Sequence, residues 1–348
     1  MLALIVISAI ALAGCTAAAD NTAARTEQAS EAQGYGAAGD IPILTERIPE
    51  ARNVEARACA DPAKTETAAA ILDGTISGFP PGLPACAGIG AIFICEGLTS
   101  FGIPVPAASA RIDGKTCVYV DASEPRRIDV SFTHELFHAI EFEHPVDADA
   151  WARINPLETY PFDTASPGEV FRYNPNMIPA FEPGFVSDYA RFSGMEDRAE
   201  LFSALYSGRA LSASERTAIL SDAFLMEKIE FLKGFLDAAG LDTEGMSDNL
   251  YLEETRFFCR AFALRKPELA RAGPGEGYPL ADLEAGHTLA YSGFEKDGLK
   301  MLYDCSDGLS RVYAPPSALE PLDGETFEIV LPQEPGEPGA ISLCASPR

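Results

Sequence analysis

The segment His134-Glu135-Leu136-Phe137-His138 constrains this chain more than any other, because it is an HExxH motif and holds two of only four histidines. On a helix, residues four apart share a face, so His134 and His138 can grip one metal ion from the same side. Glu135 lies beside them, where a carboxylate reaches a water in the ion's open position and takes its proton. Five residues are not enough alone, since the motif also arises on ordinary amphipathic helices whose histidines complete a polar face. Context supports a helix. Ile128, Phe132, Leu136 and Ile140 recur every fourth residue, which predicts a helix over Ile128 to Glu143 with one buried stripe. Upstream, Gly90 to Ile94 and Thr116 to Val120 read as strands, placing that helix after a small sheet.

A zinc ion held by two histidines needs a third protein ligand, and a catalytic zinc keeps a fourth position for water. His144 is one candidate, but Glu141 stands where a glycine would let the chain turn sharply after His138. The helix is expected to continue, which carries His144 about 240° round from His138. Glu196 is the stronger candidate. Glu196 and Glu200 lie four apart, so on a helix one can bind the ion while the other accepts an N–H from a ligand histidine. Ala199 between them is small enough for close helix packing, and Tyr189 lies seven residues before Glu196. A plainer reading of Ser193-x-x-Glu196 is a capping box at a helix start. A cap and the helix dipole would explain Glu196 but not Glu200 or Tyr189. Glu141, one turn beyond His138, could support a ligand histidine from behind, though an exposed helix charge is the plainer reading, and His287 reads as a surface or satisfied core histidine.

At these residues the chain resembles the gluzincin metallopeptidases, which take two histidines from HExxH and a glutamate from a later helix. Within them it is most similar to the catalytic domain of anthrax lethal factor and its relatives, over roughly Gly90 to Phe202. The resemblance implies one zinc per chain on His134, His138 and Glu196, with Glu135 as general base. It further implies that Tyr189 stabilises the oxyanion and that Glu200 orients a histidine. Two departures matter: Met195 stands where thermolysin has an asparagine, and the glycine-rich exopeptidase motif of gluzincin aminopeptidases is missing. The implied activity is therefore endopeptidase cleavage of a peptide or protein.

The chain has 348 residues, 47% of them hydrophobic, enough for a sizeable core, and a net charge of −26. That balance argues against a nucleic-acid partner and provides no polybasic patch for anionic lipid. Met1 to Ala13 is apolar yet too short to span a bilayer, and Leu12-Ala13-Gly14-Cys15 resembles the lipobox of bacterial lipoproteins. Cys15 would then carry lipid and anchor the protein in the bacterial cell envelope. Thr16, rather than aspartate, after the cysteine points to the outer membrane, with the chain facing periplasm or exterior. The remaining cysteines contain no C-x-x-C pair, so in an exported chain disulfides are the default, and Cys95 and Cys117 on the two predicted strands are one candidate pair.

The expected architecture is α+β: a zincin-like domain of small sheet, HExxH helix, glutamate helix and helical second half, then a β-rich C-terminal part. The boundaries read as a signal peptide over 1–14, a flexible tether over 15–45, the catalytic domain over 46–265 and the C-terminal segment over 266–348. Helices are expected near Glu66 to Leu72, Ser214 to Leu220 and Asp222 to Ala239, and a strand at Phe327 to Leu331. The long connection from Pro145 to Gly184 suggests a cleft wall or lid. Two alternatives remain: a non-catalytic zincin-like binding lipoprotein, and a metzincin-type peptidase using His144, with Met177 or Met195 nominated for its methionine turn.

Overall fold

The structure is a computed structural model, and it describes residues 34–38, 41–80, 82–156, 160, 182–207, 211–251, 256–274, 276–304, 306, 309–330 and 340–345. Cys15, the signal segment, Tyr173 to Met177 and most of the Pro145 to Gly184 connection lie outside them. The architecture is mixed α+β, and the described residues fall into two compact units: one runs to Pro145 and includes Tyr160, and the other holds the remainder.

The first unit is built on a seven-stranded sheet. Its strands are β1 (Gly34–Ala38), β2 (Ile41–Leu44), β3 (Val54–Ala58), β4 (Ile89–Ser100), β5 (Ile103–Pro104), β6 (Ala107–Ile112) and β7 (Lys115–Asp121). The main path is β1-β2-β4-β7-β6, with β3 and β5 paired on β4. β2 and β7 run parallel to β4, whereas β6 pairs antiparallel with β7. A central parallel strand is covered on both faces, which is why Ile89 to Ile94 is a nearly unbroken apolar run. The outcome differs from the sequence reading at the tether: Ile41 and Ile43, residues of the expected 15–45 linker, are buried, and the alternation that hides them makes Ile41–Leu44 a strand.

Helix α1 (Pro62–Ser77) crosses from β3 to β4 and is capped by Asp61, whose side chain accepts the Ala63 N–H. The short α2 (Leu83–Cys86) precedes β4. β7 then leads into α3 (Ile128–Glu143), the helix that carries HExxH, with the bounds its periodicity predicts. Its entry turn is fixed by Asp121, whose carboxylate accepts the Leu98 N–H at 3.0 Å and the Ser123 N–H at 2.8 Å. Ile128, Phe132, Leu136 and Ile140 are fully buried, and α3 packs on α1, β6 and β7. Helix α3 thus rests on the sheet through its apolar stripe, and its length is set by His144, which caps it with extended backbone ahead of Pro145.

The expected disulfides are corrected for the five cysteines whose side chains are described. Cys59, Cys86, Cys95, Cys117 and Cys259 are free thiols. Along the β4–β7 ladder, Cys95 pairs with Asp121 and Cys117 with Ala91. The two are thus four ladder positions apart, about 13 Å at ~3.3 Å per residue, well beyond disulfide reach. Burial, then the nearby Asp121, pushes the Cys95 thiol up to about 12. Cys305 lies outside the described residues, as does the side chain of Cys344.

The second unit contains α4 (Ala148–Ile154), α5 (Gly194–Tyr206), α6 (Ala213–Leu220) and α7 (Ala223–Ala238). They are followed by a six-stranded sheet of β8 (Arg256–Leu264), β9 (Thr288–Lys296), β10 (Leu299–Asp304), β11 (Ser310–Ala314), β12 (Leu319–Val330) and β13 (Ala340–Ala345). Every pairing in this sheet is antiparallel, in the order β11-β10-β9-β8-β12-β13. Its alternating residues bury on both faces: Ala261, Tyr303, Tyr313 and Ile329 on one, Phe262, Leu289, Leu302 and Val312 on the other. The sheet begins at Arg256, inside the stretch read as 46–265, because β8 joins β9 and β12 rather than the first sheet. His287 is a satisfied histidine, 2.8 Å from the Asp304 carboxylate. No described helix is long and apolar enough to cross a membrane.

Candidate metal centre

Helix α3 sets two histidines side by side. His134 and His138 are each 7% exposed, and their Nε2 atoms lie 3.1 Å apart with the rings nearly perpendicular, at 83°. Two nitrogens on one tetrahedral zinc, each ~2.0–2.1 Å from it, stand about 3.3 Å apart, so this pair has the spacing of ligands sharing an ion. Glu135, next along the helix, is half-buried. Glu141 takes the supporting placement rather than the plainer exposed one. Its side chain is only 6% exposed, and a carboxylate oxygen sits 3.6 Å from Nδ1 of His138. One turn beyond His138, Glu141 therefore lies beside the nitrogen opposite the metal-facing one, where a carboxylate biases ring orientation and raises ligand basicity. Spacing alone could not separate this placement from an exposed helix charge.

On α5, Ser193 is the N-cap: its Oγ accepts the Glu196 N–H at 3.3 Å. The cap uses the backbone of Glu196, so the capping and ligand readings are compatible. Ligand atoms of His134, His138 and Glu196 all lie within 4.8 Å of one another, the one group of this kind among the described residues. Two imidazoles and a carboxylate form a donor set suited to zinc, with room in the coordination shell for a water. His144 stands outside this group. It ends α3 with extended backbone, donating its N–H to the Ile140 carbonyl.

The approach to α5 is tied down by bonds that sequence reading missed. Ser187, fully buried, donates to the Glu200 carboxylate at 2.5 Å and accepts the Ala190 N–H at 3.1 Å. Between them lies Tyr189, the first residue of a short 3-10 turn, Tyr189–Phe192. Its ring stacks on Phe192, with centroids 6.4 Å apart. Three residues ahead of Ser187, the Gly184 N–H bonds to Asp222 at 2.8 Å and its carbonyl accepts from the Lys228 ammonium at 2.5 Å. Lys228 also meets Asp197 at 2.6 Å, and the Trp151 indole donates to the same Asp197 oxygen at 2.9 Å. Lys228 and Asp197 are both fully buried. Desolvation pushes the Lys228 ammonium below its ordinary value, with Asp197 opposing that shift. The available sequence signal was Lys228 itself, a lysine in step with Leu225, Leu232 and Leu236 on the buried stripe of α7.

No protein-family profile and no curated protein matches the chain. A solved structure from Bacteroides caccae, provisionally described as a zinc-binding metallo-peptidase, matches over 60% of this chain and 82% of its own at 15% identity and a TM-score of 0.39. That likeness is too slight to bear on either fold or activity.

Proposed function

We propose that this protein is a zinc-dependent peptidase that cleaves internal peptide bonds, with His134, His138 and Glu196 as ligands to one zinc ion. One observation carries the reading: the convergence of these three side chains within 4.8 Å, with Glu135 following the first of them on the same helix. Zinc would supply a Lewis acid that polarises the scissile carbonyl and brings the pKa of a bound water down to about 7. Glu135 accepts the proton of the attacking water and returns it to the leaving amine. The Tyr189 hydroxyl donates to the oxyanion as it develops. Glu141 holds His138 in orientation, and Glu200 does the same for a ligand histidine. Attachment to the cell envelope through lipid on Cys15 belongs to the same proposal and rests on the residues Leu12 to Cys15 alone.

Elemental analysis of a soluble form beginning after Cys15 tests the site directly. Wild type should hold about one zinc per chain, Glu196→Ala should lose it and His144→Ala should keep it. Zinc lost with His144→Ala but kept with Glu196→Ala would transfer the third ligand to His144. A folded, zinc-supplied wild type without metal would leave a binding protein on this scaffold.

A further inference from the structure

The peptidase reading needs the Tyr189 hydroxyl to be held still, and we infer that Ser187 is the residue that does so. This inference rests on the proposed function. Tyr189 lies on a single 3-10 turn, and so short an element has too few backbone bonds to fix its own direction. Ser187 adds a side-chain anchor to that turn. Its hydroxyl receives the Ala190 N–H, which closes the chain around residues 187–190, and spends its own proton on Glu200. Glu200 stands one turn after Glu196 on α5. The helix that carries the proposed ligand therefore also sets the turn that carries the proposed oxyanion donor, through one charge-assisted hydrogen bond with no water between.

The ends of the segment leave little slack. Gly184 is pinned through both its backbone groups by Asp222 and Lys228, and Ser193 caps α5 at the other end. Between these anchors, the Ser187 side chain joins the turn to α5 through Glu200. Its hydroxyl donates one bond and accepts one, both inside the protein. Ser187 is thus a positioning residue that acts through Tyr189.

A double-mutant cycle on the zinc-loaded full chain tests this, using Ser187→Ala, Tyr189→Phe and the pair, with a peptide-library substrate. Amide hydrogen exchange and zinc content are measured on the same samples. Ser187→Ala is expected to lower kcat on the order of 10-fold with KM changed less than about twofold, and to cost nothing further in the Tyr189→Phe background. The Ala190 amide should lose protection while zinc stays at about one per chain. Ser187→Cys, slightly larger and a weaker donor, should fall between wild type and Ser187→Ala and secures the test if the alanine variant unfolds. Losses that multiply in the double variant, or an Ala190 amide that stays protected, would overturn the inference and leave the peptidase reading standing. Zinc lost with Ser187→Ala would assign Ser187 to the ligand helix instead of Tyr189. A wild type that binds zinc but cleaves nothing in the library would overturn both.

Discussion

Helix α3 and the segment Gly184–Tyr206 each present residues of the proposed centre, and they are held in place by opposite means. α3 is a regular helix of 16 residues whose apolar stripe beds on the sheet, with no side-chain cap at its start. Its histidines point where helical geometry sends them. Segment 184–206 is short turns and one 13-residue helix, held by bonds between residues far apart in sequence: Gly184 with Asp222, Gly184 with Lys228, Asp197 with Lys228. Burial of a periodic face is a diffuse anchor that tolerates local change, whereas a web of buried polar bonds fails wherever one partner is removed. Chemistry and architecture should therefore separate on mutation: changes on the polar face of α3 remove activity and spare the fold, while changes in the web damage the fold first.

The largest effect expected is on α3. Glu135→Gln keeps shape and removes the proton acceptor, so kcat/KM for a peptide substrate should fall about 10²–10⁴-fold with zinc content unchanged. Half-exposed and outside the apolar stripe, Glu135 can change without disturbing packing, and urea unfolding should shift by less than ~0.5 kcal/mol. Full peptidase activity in a zinc-loaded Glu135→Gln protein would sink the mechanism. A large loss of stability would erase the contrast between the two regions.

Next in size is Lys228→Met. It keeps the length of the side chain but leaves the Asp197 carboxylate buried without its cation, and the Gly184 carbonyl without its donor. Breaking a buried pair in this way costs about 3–5 kcal/mol, to be read from urea unfolding. Replacing Asp197 as well, with leucine, should recover only part of that loss, because the Gly184 carbonyl and the Trp151 N–H each remain without a partner at about 1–3 kcal/mol. Complete recovery in the double variant would mean that the ion pair alone matters and that its links to the backbone carry nothing.

What sequence could reveal follows the same division. The bounds of α3, its buried stripe and the pairing of His134 with His138 depend on periodicity, which is local, and they were legible. Glu196 and Glu200 were legible as a helical pair with a cap at Ser193, again by spacing within a few residues. Ser187, Asp197 and Lys228 were not, because their roles depend on which distant groups they meet. Glu141 was left between two readings for a related reason: helical spacing places it one turn past His138 but does not reveal that its side chain is covered. The Cys95–Cys117 pairing went wrong because two strands can be neighbours while their register sets two given residues far apart. The residues at the end of the expected tether went wrong because Ile41 and Ile43 bury against a strand that begins almost fifty positions later.

A smaller effect is expected at Gly184, where the contrast can be tested without touching charge. Its φ is +83°, and an added Cβ would meet the Pro156 ring at 3.0 Å. Gly184→Ala should therefore destabilise by about 1–3 kcal/mol. Because Gly184 leads into the turn of Tyr189, activity should fall further than the unfolded fraction explains. An activity loss that matched the unfolded fraction alone would show that the two ends of the segment are independent.

The smallest effect is at Ser193, and it bears on why α5 needs a cap when α3 has none. The first turn of α5 contains Glu196, whose carboxylate has to be held close to the histidines, so fraying at this end would move a proposed ligand. The α3 ligands lie in its second and third turns, where loss of a terminal bond does not reach them. Ser193→Ala should cost about 1 kcal/mol in unfolding, and Ser193→Asp should restore most of it because the shorter acid still accepts the Glu196 N–H. Zinc affinity is the sharper readout. With the cap gone, part of the population has Glu196 on a frayed turn, and affinity should weaken in proportion, whereas removing the side chain of Asp129 in the uncapped first turn of α3 should leave zinc affinity unchanged. Equal losses at both helix starts would mean that end stability, and not the depth of the ligand within its helix, controls how tightly the metal is held.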